Sequence, residues 1–143
     1  MKKLALLMIL IFVLAGCGNN KEQEESTISY KDGEYTAQSD PDDWGGKIVL
    51  RLTVKDGKIE TCEQDNLDSS GQEKNEEYGK IDGKISNPGL YKIAQGAVEA
   101  TKEYPNMLID KQDINKVEVI SGATVSHKCF TDAVNRALED AKE

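Results

Sequence analysis

Four consecutive residues offer the most specific chemistry in this chain: Ser121-Gly122-Ala123-Thr124. They stand between a short β-prone stretch, Val117-Glu118-Val119-Ile120, and an amphipathic run with Phe130, Ala133, Val134, Ala137, Leu138 and Ala141 on one face. A junction of this kind leaves the first N–H groups of a helix without intrahelical partners. Together with the helix dipole they favour an anion, most often a phosphate. Gly122 permits a turn or a close backbone approach, and Ser121, Thr124 and Ser126 add hydroxyls. The bland reading is an ordinary helix start capped by Ser or Thr.

Other combinations lead elsewhere. A single histidine, His127, excludes a multi-histidine metal site, and no Ser-His-Asp set, GxGxxG or P-loop is present. Asp40, Asp42 and Asp43 resemble the start of a calcium loop, but the glycine and distal glutamate of an EF-hand do not follow, so a solvated turn is expected. His127 reads as a surface side chain in the first turn of the last helix rather than a base. Cys62 and Cys129 follow no metal spacing and read as two buried free thiols rather than a disulfide.

The third cysteine belongs to the N-terminus. Lys2 and Lys3 precede an apolar run, Leu4 to Ala15, and Leu14-Ala15-Gly16-Cys17 resembles a bacterial lipobox. That run would rise about 18 Å as a helix, short of a bilayer core of roughly 30 Å. The expectation is a lipoprotein signal over residues 1–16, lipid on Cys17, a polar tether over 17–29 and one domain over 30–143. The whole chain has 143 residues, 18 Lys plus Arg and 26 Asp plus Glu, for a net charge of −8. Cleavage before Cys17 leaves 127 residues and a side-chain charge of −10. Such acidity opposes binding nucleic acid or anionic lipid through charge, and it limits self-association, so a monomer held to the membrane by lipid is expected.

The elements that must position the chemistry follow from periodicity. Gly33 to Ala37 reads as a strand. Ile48, Leu50, Leu52 and Val54 alternate with polar neighbours, Asp56-Gly57 suits a type I′ turn, and Lys58 to Cys62 returns as the second arm of a hairpin. Glu63 to Glu77 reads as a solvated acidic loop, or alternatively an acidic docking surface. Pro88 opens a helix whose apolar face runs Leu90, Ile93, Ala94, Ala97, Val98, Thr101 and Tyr104, and Pro105 should stop it. The sum is a small α+β domain, an antiparallel hairpin-containing sheet packed with two amphipathic helices.

Val119-Ile120-Ser121-Gly122-Ala123-Thr124 and the helix after it resemble the FMN-binding domain family. That family includes periplasmic subunits of the sodium-pumping NADH:quinone oxidoreductase and of the Rnf complex. Tyr78 to Ile85, Asn87, Gly89-Leu90-Tyr91 and Ala94 are similar to a branch of small surface lipoproteins linked to extracellular electron transfer. The resemblance spans roughly Tyr30 to Lys142. It implies FMN as cofactor, joined by a phosphoester to Thr124 through a separate flavin transferase, with Ser121, Gly122, Ala123 and Ser126 around it. No residue is assigned a catalytic role. One departure stands out: the family usually has aspartate three residues before the motif's serine, and this chain has Glu118. Trp44, Tyr78 and Tyr91 are candidates for stacking on the flavin ring, each equally suited to packing.

The resemblance further implies an electron carrier on the outer face of the cytoplasmic membrane, served by a membrane quinone or NADH oxidoreductase. Gly18 leaves outer-membrane sorting open in a host with two membranes. The alternatives are a component of an extracellular reductase and a flavin-free assembly lipoprotein of the same fold.

Overall fold

The computed structural model describes residues 28–142. The signal segment, Cys17 and the tether as far as Thr27 lie outside the described residues, as does Glu143. Three antiparallel strands, β1 (Gly33–Gln38), β2 (Lys47–Lys55) and β3 (Lys58–Leu67), form one sheet in the order β1-β2-β3. Helices α1 (Pro88–Thr101), α2 (Tyr104–Lys111) and α3 (Thr124–Ala137) follow, with a 3-10 turn at Ile114–Lys116. The α+β architecture is the one expected.

The hairpin closes as its sequence dictates. Asp56 and Gly57 both take positive φ, 52° and 74°, as a type I′ turn requires. Ile48, Leu50, Leu52 and Val54 are buried and meet α3, which packs on β1 and β2, while α2 packs on β3. A register shift beside Val54 leaves Glu60 as the extra residue, since Thr53 faces Thr61 and Val54 faces Ile59. From α3, Phe130, Ala133, Val134, Ala137 and Leu138 complete the core. Tyr30 is fastened to the domain: its ring is buried, its N–H donates to Gly57 O at 3.1 Å, and it bridges to Lys142.

Four expectations need correction. β3 continues to Leu67, so Glu63 and Asp65 belong to a strand rather than a loop. They face solvent, and Arg51 on β2 reaches both, at 3.4 Å and 2.9 Å. Pro105 does not end a helix run but sits in the first turn of α2, where a missing N–H is harmless. The connection beyond Pro105 is therefore a helix, eight residues long, capped by Gln112 at φ 57°. The Gln112 amide also accepts from Ile59 N at 2.8 Å and donates to Ile59 O at 2.9 Å, docking α2 on β3. Finally, Val117 to Ile120 forms no strand among the described residues.

Candidate flavin site

Gly122 is required by its backbone rather than by crowding. Its φ is 85°, and a Cβ there would meet nothing within 4 Å. With Ala123 N–H donating to Ile120 O at 3.0 Å, Ile120 to Ala123 form a β-turn with glycine in the third place, the position that needs positive φ in a type II turn. Ala123 is buried and pins the turn to the core. It is also the residue before α3, and no side chain caps that helix. The bland reading of a Ser or Thr cap is overturned: the hydroxyls of Ser121 and Thr124 are not spent on the helix end, and both residues are exposed. Ser126 is half-buried on the first turn. Free N–H groups and exposed hydroxyls thus meet at one point, suited to a phosphate group.

Two aromatic residues hold this segment in place of a strand partner. Tyr104, fully buried at the start of α2, accepts from Ile120 N through Oη at 3.2 Å and donates to Ala123 O at 3.2 Å. One hydroxyl therefore spans both ends of the turn. The Tyr104 ring lies against Phe130, 5.6 Å between centroids, and meets His127 in a T-shaped contact at 5.3 Å. His127 Nε2 is 2.8 Å from Val117 O, and because a carbonyl only accepts, that nitrogen carries the proton. His127 is thus a half-buried brace, not the surface side chain expected. Sequence reasoning placed Tyr104 on the apolar face of the first helix and missed its hydroxyl. The available signal was a tyrosine, rather than phenylalanine, at a core position.

Beside the turn opens a cleft of about 550 Å³, within the range of roughly 300–1,000 Å³ usual for small-molecule sites. One wall is α1, with Leu90, Ile93, Ala94 and Ala97; another is the turn and α3, with Gly122, Ala123, Val125 and Ser126. The third comes from two loops, carrying Trp44, Lys74 and Tyr78. Of the three stacking candidates, Trp44 and Tyr78 line the cleft. Tyr91 does not, and its hydroxyl donates to Glu76 O at 2.8 Å. Phe130 is sealed in the core. Glu118 is exposed and away from the cleft lining.

Neither thiol lines the cleft, and both are free. Cys129 is buried, whereas Cys62 is half-buried rather than buried as expected. Burial, aided by Glu63, pushes the Cys62 thiol up to about 12, and burial raises Cys129 as well. Asp42 proves to be a loop organiser: its Oδ1 accepts from Trp44 N at 2.9 Å and Gly46 N at 2.8 Å. The site as a whole fits a ligand with a flat apolar ring and an anionic tail, because apolar walls and aromatic side chains adjoin an uncapped helix N-terminus.

The chain is similar to the CPE2226 protein of Clostridium perfringens, whose crystal structure superposes with a TM-score of 0.61 at 27% identity, covering 78% of this chain and 88% of that one. A solution structure from Clostridium thermocellum gives a TM-score of 0.47 at 25% identity, over 77% of this chain and 91% of that one. No curated protein matches. The sequence model described as FMN-binding domain matches residues 43–139, which takes in the hairpin, the cleft walls and the Ser121–Thr124 turn. The chain belongs to the FMN-binding domain family, and its cofactor is FMN.

Proposed function

We propose that this protein is a lipid-anchored, extracytoplasmic electron carrier whose FMN is joined to Thr124. The observation that carries the reading is the exposed Thr124 hydroxyl at the uncapped start of α3, between two residues that line the cleft. Bound FMN supplies one- and two-electron exchange, and the protein's own residues hold and shield it. The ring would lie against the apolar walls, and the phosphate, still carrying one negative charge, over the open N–H groups of α3. Ser121 and Ser126 would donate hydroxyls to it.

Attachment needs a separate flavin transferase. Thr124 Oγ1 loses its proton and bonds to the phosphorus of an activated FMN donor as the bond from that phosphorus to the donor's leaving group breaks and the leaving group departs with the electron pair, so the peptide gains FMN less one water. Lipid on Cys17 would confine the carrier to the outer face of the cytoplasmic membrane, or to an outer membrane where the host has one. Two acyl chains give stable anchoring where one does not. A tethered carrier meets a membrane quinone or NADH oxidoreductase at raised effective concentration. Its acidic surface suits a partner with a basic patch, and that docking should weaken with salt.

The test is expression with the native export signal and a flavin transferase. The expected product is yellow after denaturation, with lipid on Cys17 and the FMN mass on the peptide containing Thr124. Colourless protein would reject the flavoprotein reading. Thr124→Val that still carries covalent flavin would reject the assigned site.

A further inference from the structure

The Lys74 side chain runs beside the cleft, and its ammonium makes one ion pair but no side-chain hydrogen bond among the described residues. Its side chain is 9% exposed and lines the cleft. Among the described residues its partners are Asp42 Oδ2 at 3.6 Å, beyond hydrogen-bond reach, and the Tyr78 ring, whose centroid is 5.1 Å away. Its three N–H donors find no acceptor within hydrogen-bond distance among the described residues, and they are open to whatever occupies the cleft. Asp42 lines the same cleft and forms a buried ion pair with Lys74 through Oδ2, while its Oδ1 receives the N–H groups of Trp44 and Gly46. Gly46 keeps the space open: a Cβ there would stand 2.7 Å from Lys74 Nζ.

We infer that Lys74 recognises the flavin ring and raises its reduction potential by presenting positive charge to the cleft. The inference rests on the proposed flavin site. Two electrons and one proton entering the neutral ring leave it with one negative charge, spread over the edge that bears its carbonyl oxygens. Those oxygens are the acceptors Lys74 lacks. A fixed cation favours the charged, reduced ring over the neutral, oxidised one. The phosphate has its own place at α3, so the ring is the part of FMN left for Lys74.

The test is the midpoint potential of flavin-loaded protein, reduced with dithionite through mediator dyes. Lys74→Met should lower the preference for the reduced ring by about tenfold, which is about 30 mV for a two-electron couple. Asp42→Asn keeps an oxygen for the N–H groups of Trp44 and Gly46 but removes the opposing charge, and it should move the potential upward. Lys74→Arg should stay near the parent value. A loosened cleft would not give opposite signs for the first two variants. Loaded Lys74→Met protein with the parent potential, or both variants shifting together, would overturn the role of Lys74 while leaving the flavin site intact. Parent protein that takes up no flavin would overturn both.

Discussion

Helices α1 and α3 have the same length, 14 residues, and each carries one apolar face, yet they do opposite things with it. The face of α3 is sealed: Cys129, Phe130, Ala133, Val134 and Ala137 are all buried beneath the sheet. On α1 only Val98 and Thr101 are buried, at its last turns, while Leu90 and Ile93 are 64% and 66% exposed. Periodicity identifies an apolar face. It does not say what covers it. The sheet covers α3, and the front half of α1 is left to line a cleft that a ligand can fill.

The sharpest way to break the contrast is to truncate one residue on each face. Phe130→Ala should cost about 3–5 kcal/mol and threaten folding. Ile93→Ser should change the stability of flavin-free protein by no more than about 0.5 kcal/mol. Urea unfolding with and without FMN separates the two faces, because Ile93→Ser should lose much of the stabilisation that FMN confers. Equal costs in the flavin-free protein would show that α1 is as sealed as α3.

Tyr104 connects the sealed side to the site, so its hydroxyl should matter to both. Tyr104→Phe keeps the ring against Phe130 and removes two hydrogen bonds, at a cost of about 1–3 kcal/mol. It should also slow flavin loading of Thr124, read by mass spectrometry over time. A loss of stability with unchanged loading would confine Tyr104 to the core. Gly122→Ala should follow at about 1 kcal/mol, an entirely conformational cost because no atom obstructs the new methyl. Gly122→Asn should be milder, since asparagine tolerates the left-handed region.

The effect that is absent at neutral pH is a pH dependence on the sealed side, which appears only in alkali. Cys62 titrates near 9 when unfolded and at about 12 in the fold. The stability tied to its neutral form is fully present below pH 9. It declines through that window as the unfolded chain ionises first. Cys62→Ala should flatten the alkaline fall seen in urea midpoints between those values.

What was legible in the sequence was local. The hairpin was legible because Asp56-Gly57 and the alternation before it name one turn and one buried face. Helix α3 was legible because its apolar spacing is uninterrupted. The end of β3 was hidden, since acids suggest a loop when read alone. Opposite Arg51 they are instead the wet face of a strand. Val117 to Ile120 misled in the other direction. Its β-branched residues suit a strand, but side chains of Tyr104 and His127 hold it where a sheet edge would otherwise be needed. The turn motif was visible as four letters. The cleft was not, because its walls come from separate segments spread between Asp42 and Ser126, and no local pattern joins them.

The bridge between Tyr30 and Lys142 gives the domain two poles. Tyr30 is fastened to Gly57, at the closed tip of the hairpin, whereas Asp42, Trp44 and Asn66 border the cleft at the open tip. The arm between them, β2, has nine residues and so spans roughly 27 Å. The N-terminal end of the described domain therefore lies at the opposite end of the hairpin from the cleft.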